Sequence, residues 1–310
     1  MSVHINQQVK VPQSSAGSRL DQVAAELFPD FSRSRLQSWI KRGELNVDGL
    51  AKKPNSKLGG GETLDLRAEL ESSEEWLPEA LEFEVVHEDA SVIVVNKPRS
   101  MVVHPAAGNW RGTLLNGLIH RYPELTQMPR AGIVHRLDKD TTGLMVVARD
   151  LGAQVSLVEQ LQSRSVSRTY WAIAQGDITS KLPRHGSVKT FIGRHPTHRT
   201  KMAVVKSGGK EAITHYEVKR RFNDSSLLEL KLETGRTHQI RVHMAHLGHP
   251  LIGDAVYGKP SSDPECSSLS RQALHAKKLG FVHPVSGKPV AWETQLPDDI
   301  ADLYDTLVAR

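Results

Sequence analysis

Residues 132–150 read GIVHRLDKDTTGLMVVARD, and the order of apolar and polar runs in this stretch indicates the fold class. A polar cluster, HRLDKDTTG, stands between the apolar runs GIV and LMVVA. The second apolar run predicts a buried strand, and the helical spacing that begins at Asp150 predicts a helix directly after it. A polar cluster beside a buried strand can direct side chains into a cleft, so we expect Asp138 to lie in a functional site.

Outward from this stretch, the chain is rich in strands with a few helices between them. Strands are predicted over EFEVVHED, SVIVVNKP, RTYWAIAQG, ITHYEVKRRF and SLLELKLE. Helices are predicted over TLLNGLIHRY, which Thr113 caps, and over DDIADLYDTLVAR at the end of the sequence. Strands in tandem with few helices favour an α+β fold with a mainly antiparallel mixed sheet over a regular βαβ winding.

An acidic segment divides the chain. Residues 68–96 contain nine carboxylates and no Lys or Arg. The part before it shows two helical patterns, the second with Ser32 as its N-cap, and two strands, the first followed by an Asp48-Gly49 turn. We therefore predict four segments: an N-terminal extension at 1–16, a small domain at 17–67, an acidic linker at 68–80 and a catalytic domain at 81–310.

The composition excludes several classes of protein. With 38% hydrophobic and 24% charged residues over 310 positions, the chain can bury a core and is not a disordered, collagen-like or coiled-coil protein. No apolar run approaches the roughly 20 residues that span a bilayer, and the first residues lack the apolar core of a secretory signal. We expect a cytoplasmic protein with no membrane contact. The single cysteine, Cys266, excludes an internal disulfide and a cysteine-based metal cluster.

The distribution of charge points to a polyanionic partner. The net charge is +5, but outside residues 68–96 there are 40 basic against 26 acidic residues. Residues 178–210 contain no carboxylate at all, whereas a solvated loop usually mixes charge signs. We therefore favour contacts with nucleic-acid phosphates over a plain solvated surface. The candidate contacts are Arg33, Arg35 and Lys41 in the small domain and Arg194, Arg199 and Lys201 in the basic segment.

Two metal-dependent interpretations of the sequence are weaker. Asp138, Asp140 and Thr142 match the DxDxT pattern of Mg²⁺-dependent phosphatases, but that pattern follows an apolar strand directly, and here His135 and Arg136 interrupt the run. His243, His246 and His249 recur every three residues, which turns successive side chains by about 60° around a helix and spreads them over too wide an arc. We expect no metal site.

Two further segments contain candidate site residues. In LETGRTHQIRVHMAHLGHP, residues 232–250, Gly235 permits a tight turn that places Arg236 at the start of a helix capped by Thr237 and ended by Gly248. Arg236 is then available to a carboxylate from elsewhere in the fold. Tyr170 lies on the strand RTYWAIAQG, where a tyrosine is most often a half-buried core residue.

Together, these segments resemble a known family. HRLDKDTTGL, RTYWA and LETGRTHQIRVHMAHLGHPLIGD, in this order, resemble the RluA-type pseudouridine synthases, and RLDQVAAELFPDFSRSRLQSWIKRGELNVDG resembles an S4 RNA-binding domain. The resemblance covers roughly residues 17–300. It implies that Asp138 is the catalytic aspartate, that Arg236 pairs with it, that Tyr170 packs beside the target base, and that Arg136 and His135 contact RNA.

The resemblance also implies a substrate and a reaction. It implies that uridine in large-subunit (23S) ribosomal RNA, within the assembling or mature large ribosomal subunit, is flipped out and isomerised to pseudouridine by a monomeric enzyme. No cofactor is expected, because the isomerisation involves no redox change and adds no group. Asp138 attacks either C1′ or C6, and both remain open. The alternatives are another ribosomal RNA site, transfer RNA, or an RNA-binding assembly factor without catalysis.

Overall fold

The computed structural model contains two compact units, Met1–Glu75 and Trp76–Arg310. It describes residues 3–29, 31, 33–70, 76–105, 108–177, 179, 182–198, 200–258 and 264–310. None of the helices in these ranges combines the length and the apolar character that crossing a bilayer requires. Ser32, part of the linker and Arg199 lie outside the described residues.

The first unit packs two helices on a three-stranded antiparallel sheet. Its elements are β1 (Val3–Lys10), α1 (Leu20–Leu27), α2 (Arg33–Arg42), β2 (Leu45–Val47) and β3 (Thr63–Leu70). The strand order is β1-β3-β2. The sheet and both helices share one apolar core, which includes Leu20, Leu36, Trp39, Leu45 and Leu64.

The N-terminal extension predicted for residues 1–16 is instead part of this unit. Strand β1 pairs with β3 along its whole length, from Val3 opposite Leu70 to Lys10 opposite Thr63. The sequence signal is weak because β1 is largely polar, and from Ile5 to Lys10 it buries only Ile5. The predicted Asp48-Gly49 turn is confirmed: both residues have positive φ angles, 50° and 75°, as the tightest hairpin turns require.

The second unit is built on a ten-stranded sheet with helices around it. In chain order, its elements are β4 (Glu84–Glu88), β5 (Val92–Lys97), α3 (Leu114–Arg121), β6 (Thr142–Ala148), α4 (Leu151–Gln162), β7 (Ser167–Gln175), β8 (His185–Arg194), β9 (Met202–Val204), β10 (Lys210–Arg221), β11 (Ser225–Leu232), α5 (Gln239–His246), α6 (Pro264–Ser268), β12 (Leu274–Val282), β13 (Pro289–Glu293) and α7 (Asp298–Val308).

The sheet is mainly antiparallel and mixed, as the sequence predicts. The strand order is β4-β5-β6-β12-β7-β11-β10-β8-β9, with β13 added to β12. The pair β6–β12 is parallel, and the other strand pairs recorded in this sheet are antiparallel. Every residue of β6 is buried, which agrees with the apolar run LMVVA. The polar cluster before β6 therefore lies at the start of a strand in the interior of the sheet.

Glycine is required where β6 meets β12. Gly143 has a φ of 115°, and a Cβ on it would lie 2.3 Å from the carbonyl oxygen of Ala276. Only a residue without a side chain permits the two backbones to approach this closely. Gly143 thus fixes where the loop that carries Asp138 enters the sheet.

Candidate active site

A cavity of about 880 Å³ in the second unit is lined by three segments that the sequence singles out. The loop before β6 contributes Asp138, strand β7 contributes Tyr170, the connection from β11 into α5 contributes Arg236, and α5 itself contributes Arg241. These segments are distant in sequence, and the order of strands in the sheet brings them together. The cavity is the candidate active site.

The loop that carries Asp138 is held by side chains of other elements. The amide N–H of Thr141 donates to the carbonyl oxygen of Asp138 at 3.1 Å and closes a turn. Two side chains bond to the backbone of the next residues: Lys97 Nζ donates to the Lys139 carbonyl at 2.9 Å, and Arg271 Nη1 donates to the Asp140 carbonyl at 3.0 Å. Two others contact the threonines that follow: Gln272 Nε2 donates to Thr141 Oγ1 at 3.0 Å, and His275 Nδ1 lies 2.8 Å from Thr142 Oγ1. This support fixes the position of the carboxylate before any substrate binds.

The buried Lys97 ammonium is an unusual part of this support. It also donates to the carbonyls of Pro98 and Met101, at 2.7 and 2.9 Å. Burial lowers the pKa of Lys97 to about 7, against the opposing effect of the charges on Asp140 and Asp138. Three carbonyl acceptors satisfy the three N–H donors of the charged form. Lys97 thus joins the end of β5 to the loop of Asp138.

Arg241, on the first turn of α5, forms the ion pair with Asp138. Its Nη1 donates to Asp138 Oδ2 at 3.1 Å, and its Nε and Nη2 donate to Asp254 at 2.7 and 2.9 Å. Burial would lower the pKa of Arg241, but the hydrogen bonds and charges of the two carboxylates raise it further, so it stays charged. No donor among the described residues reaches Asp138 Oδ1, which leaves that oxygen available to a substrate.

The predicted pairing of Arg236 with Asp138 is wrong. Arg236 lines the cavity, but its Nε donates to the carbonyl oxygen of Glu211 at 2.9 Å. The reason is where the helix begins: its N-cap is His238, with a φ of 56°, rather than Thr237. Arg236 therefore remains on the turn before α5, and Arg241 projects from the helix into the site. The signal available in the sequence was a second arginine, in HQIRVH, within an otherwise buried helical stretch.

Tyr170 lies at the cavity wall. Its side chain is buried on β7, and burial raises the pKa of its hydroxyl. Arg168, two residues earlier on the same face of β7, also lines the cavity. Its Nη2 donates to the carbonyl of Glu233 at 3.2 Å, and its buried Nε has no partner among the described residues. Sequence reasoning did not single out Arg168.

His135 contacts the protein's own backbone. The amide N–H of Val146 in β6 donates to His135 Nε2 at 3.1 Å. Burial, and to a smaller extent the charge of Arg168, lower the pKa of His135 to about 3, so the ring is neutral. The predicted RNA contact of His135 therefore competes with a bond that ties the loop to β6. Its neighbour Arg136 is exposed and lines the cavity.

The cavity is strongly basic. Two carboxylates, Asp138 and Glu233, line it together with six arginines: Arg130, Arg136, Arg164, Arg168, Arg236 and Arg241. Burial lowers the pKa of His104, a further lining residue, to about 4, and the charges of Arg130 and Arg136 contribute to the shift. A cavity with this excess of positive charge suits an anionic substrate.

The remaining predicted RNA contacts occupy different environments. In the first unit, Arg33 donates to Asp21 at 2.8 Å, Arg35 is half-buried and Lys41 is exposed. In the second unit, Arg194 ends β8, and Lys201 Nζ donates to the carbonyl of Val256 at 2.8 Å. Arg33 and Lys201, like Arg35 and Arg194, therefore have partners within the protein.

His243 of α5 also has partners within the protein. His243 Nδ1 lies 2.8 Å from Thr214 Oγ1, and its Nε2 lies 2.9 Å from Thr190 Oγ1. Burial lowers the pKa of His243 to about 4. Within the described ranges, no three His, Cys, Asp or Glu side chains come together as a metal site.

Comparison with known proteins defines the class of the chain. Residues 91–246 match the family described as RNA pseudouridylate synthase. A solved human structure, RNA pseudouridylate synthase domain containing 4, superimposes with a TM-score of 0.58 at 26% identity, covering 72% of this chain and 92% of the human one. The chain belongs to the RNA pseudouridylate synthase family and is an RNA pseudouridine synthase.

Two bacterial relatives are similar over nearly the whole chain. A protein of Pseudomonas aeruginosa PAO1 is 51% identical over 99% of this chain and 97% of its own length. A protein of Neisseria meningitidis Z2491 is 53% identical over 96% of this chain and 80% of its own length. Both carry the name ribosomal large subunit pseudouridine synthase D. The similarity extends beyond the catalytic domain to the first unit.

Proposed function

We propose that this enzyme isomerises uridine to pseudouridine in large-subunit (23S) ribosomal RNA, within the assembling or mature large subunit. The observation that carries the proposal is the Asp138–Arg241 ion pair, which stands in a basic cavity together with Tyr170. The names of the two bacterial relatives support the choice of large-subunit RNA. Transfer RNA or another ribosomal RNA site remains the second candidate substrate.

The reaction needs a carboxylate that stays ionised in a water-poor pocket. The N1–C1′ bond of uridine breaks, a C5–C1′ bond forms, the proton on C5 leaves and N1 takes up a proton, so the product is an isomer of the substrate. Asp138 attacks C1′ or C6 as the nucleophile, and the guanidinium of Arg241 pairs with its carboxylate, which is only 19% exposed. Tyr170 stacks on the base and its hydroxyl relays the C5 proton. No cofactor is required for this sequence of steps.

The RNA must first be gripped and the base extruded. Residues 17–67, an S4-like domain completed by β1, hold RNA phosphates, with Lys41 and Arg35 as contacts. The basic segment around β8 and β9 holds a further stretch of backbone, with Arg194 as a contact. Arg136 fills the place of the flipped uridine in the stack. Flipping costs about a few kcal/mol, which these phosphate contacts offset. The enzyme acts as a monomer in the cytoplasm.

The decisive experiment follows tritium at C5. Purified protein is incubated with [5-³H]uridine-labelled 23S RNA and with assembled large subunits, and tritium release is measured. The wild-type protein should release tritium, whereas Asp138→Asn should bind the same RNA with similar affinity and release none, because the amide is not a nucleophile. Carbodiimide mapping then locates the modified uridines.

Each other result has a definite meaning. An active Asp138→Asn variant would remove Asp138 from the mechanism. Tight binding without tritium release by the wild-type protein, on both substrates, would favour an assembly factor. Tritium release from transfer RNA alone would identify transfer RNA, and not 23S RNA, as the substrate.

A further inference from the structure

Asp254 orients Arg241, the arginine that pairs with the catalytic aspartate Asp138. Its carboxylate is fully buried, and its two oxygens accept from Nε and Nη2 of Arg241 at 2.7 and 2.9 Å. The guanidinium group is planar and rigid, so fixing one edge of it also fixes the direction of the remaining Nη1. That Nη1 donates to Asp138. The orientation of the Asp138–Arg241 pair therefore depends on Asp254.

The position of Asp254 is itself set by a tight turn. Asp254 Oδ1 accepts from the backbone N–H groups of Val256 and Tyr257, at 2.9 and 3.0 Å. The N–H of Gly258 donates to the Asp254 carbonyl at 2.8 Å, and a Cβ on Gly258 would lie 2.4 Å from that oxygen. The bonds to Arg241 and to these two amides hold the pKa of Asp254 below its usual range in spite of burial.

The same turn is bonded to the β8–β9 hairpin on its other side. The N–H of Met202, the first residue of β9, donates to the Tyr257 hydroxyl at 2.9 Å, and Lys201 Nζ donates to the Val256 carbonyl at 2.8 Å. The Tyr257 hydroxyl also lies 2.8 Å from Nδ1 of His238, which lines the cavity. The Arg241 guanidinium lies over the Tyr257 ring, 5.1 Å from its centroid.

We propose that Asp254 is a positioning residue that aims Arg241 at Asp138, and that the 254–257 turn links this pair to the β8–β9 hairpin. The residues that line the cavity, within the described ranges, include Arg241 but not Asp254, so Asp254 acts through Arg241 and does not touch the substrate. RNA bound at the β8–β9 hairpin then affects the geometry of the Asp138–Arg241 pair through Tyr257. This inference rests on the proposed function, and it identifies Asp254 as a residue that contributes to kcat through Arg241.

The test is a double-mutant cycle on tritium release, run under single-turnover conditions with excess enzyme. Asp254→Asn should lower the catalytic rate about 10²-fold and leave RNA affinity within about twofold, because a misdirected Arg241 disturbs the reacting geometry and not RNA binding. In an Arg241→Lys background, the two hydrogen bonds from the guanidinium to Asp254 are already lost. Adding Asp254→Asn to that variant should therefore change the rate less than about twofold.

A matched control removes a similar carboxylate elsewhere in the second unit. Asp89 also caps a turn through two backbone N–H groups, of Ser91 and Val92, and pairs with His283, but it does not line the cavity. Asp89→Asn should lower Tm and leave the catalytic rate unchanged. If Asp254→Asn does not fold, Tyr257→Phe replaces it in the cycle, since it removes only the hydroxyl; it should lower the rate about fivefold with unchanged RNA affinity.

The outcomes separate this inference from the proposed function. An inactive wild-type protein would overturn the proposed function and, with it, the basis of the inference. An active wild-type protein whose Asp254→Asn variant keeps a rate within twofold would overturn the positioning role alone. Equal effects of Asp254→Asn in the wild-type and Arg241→Lys backgrounds would do the same, because the residue would then act independently of Arg241.

Discussion

At Arg241, one guanidinium group donates hydrogen bonds to two carboxylates, an arrangement that lysine cannot reproduce. Asp254 takes the Nε–Nη2 edge and Asp138 takes Nη1. Lysine would present a single ammonium group, which cannot satisfy both partners in these directions. Arg236, only five positions earlier in the sequence, donates to a backbone carbonyl and has no carboxylate partner among the described residues.

Replacing these two arginines should therefore give different results. Arg241→Gln should reduce tritium release by at least about 10³-fold, because Asp138 loses the hydrogen-bonded positive charge that orients its carboxylate. It should also lower stability by about 3–5 kcal/mol, since Asp254 is left buried without its partner. Arg236→Gln should change the catalytic rate less than tenfold. Rates and urea unfolding of the two variants, measured in parallel, check both expectations, and equal losses of activity would contradict the assignment of Arg241.

Among the elements, the parallel pair β6–β12 does most to place the site. It pairs Thr142 with His275 and Gly143 with Ala276 at the start of β6, directly after the loop of Asp138. The side chains of Gln272 and His275, just before and on β12, hold the threonines of the same loop. The position of the loop that carries Asp138 thus depends on the close contact between the backbones of β6 and β12.

Gly143→Ala should disrupt this contact. The added Cβ meets the Ala276 carbonyl at 2.3 Å, and a φ of 115° is strained for alanine, so we expect a loss of about 2–4 kcal/mol in the free energy of unfolding and a fall in activity. Gly152→Ala, in helix α4, is the matched control, because its nearest neighbour is the flexible carboxylate of Asp150 at 3.2 Å. The control should keep wild-type stability in urea unfolding; similar values for both variants would refute the packing argument.

In the second unit, several histidines are buried in the neutral state. The pKa values of His104, His135, His243 and His275 are lowered by burial, to about 4, 3, 4 and 4 respectively. In the unfolded chain the same rings titrate near 6.5. Below about pH 6.5 these histidines bind protons in the unfolded state but stay neutral in the folded state, so acid favours unfolding.

The free energy of unfolding should therefore fall as the pH drops from about 6.5 towards 4, with its full value above 6.5. Each histidine contributes at most about 1.4 kcal/mol per pH unit in this window. Urea unfolding at several pH values measures the slope. His243→Asn should make the slope shallower, while the exposed His198→Asn should not alter it. A free energy of unfolding that is constant between pH 7 and pH 5 would contradict the prediction.

Much of this protein could be predicted from local patterns in the sequence. The strand at β6, the helix after it, the antiparallel sheet, the Asp48-Gly49 turn and the candidate residues Asp138 and Tyr170 all follow from periodicity, turn chemistry and motif resemblance. These features depend on interactions between near neighbours in the chain, or on motifs that are continuous in sequence. They are visible before any fold is known.

The partner of Asp138 was decided by the tertiary structure alone. Arg236 and Arg241 stand in the same short segment, and the difference between them arises from a helix that begins after His238 and from Asp254, which lies buried beyond it. The inclusion of β1 in the first sheet and the bond between His135 and β6 were likewise invisible. Each depends on which distant groups meet in space, and side-chain direction is set only when packing fixes the backbone that carries it.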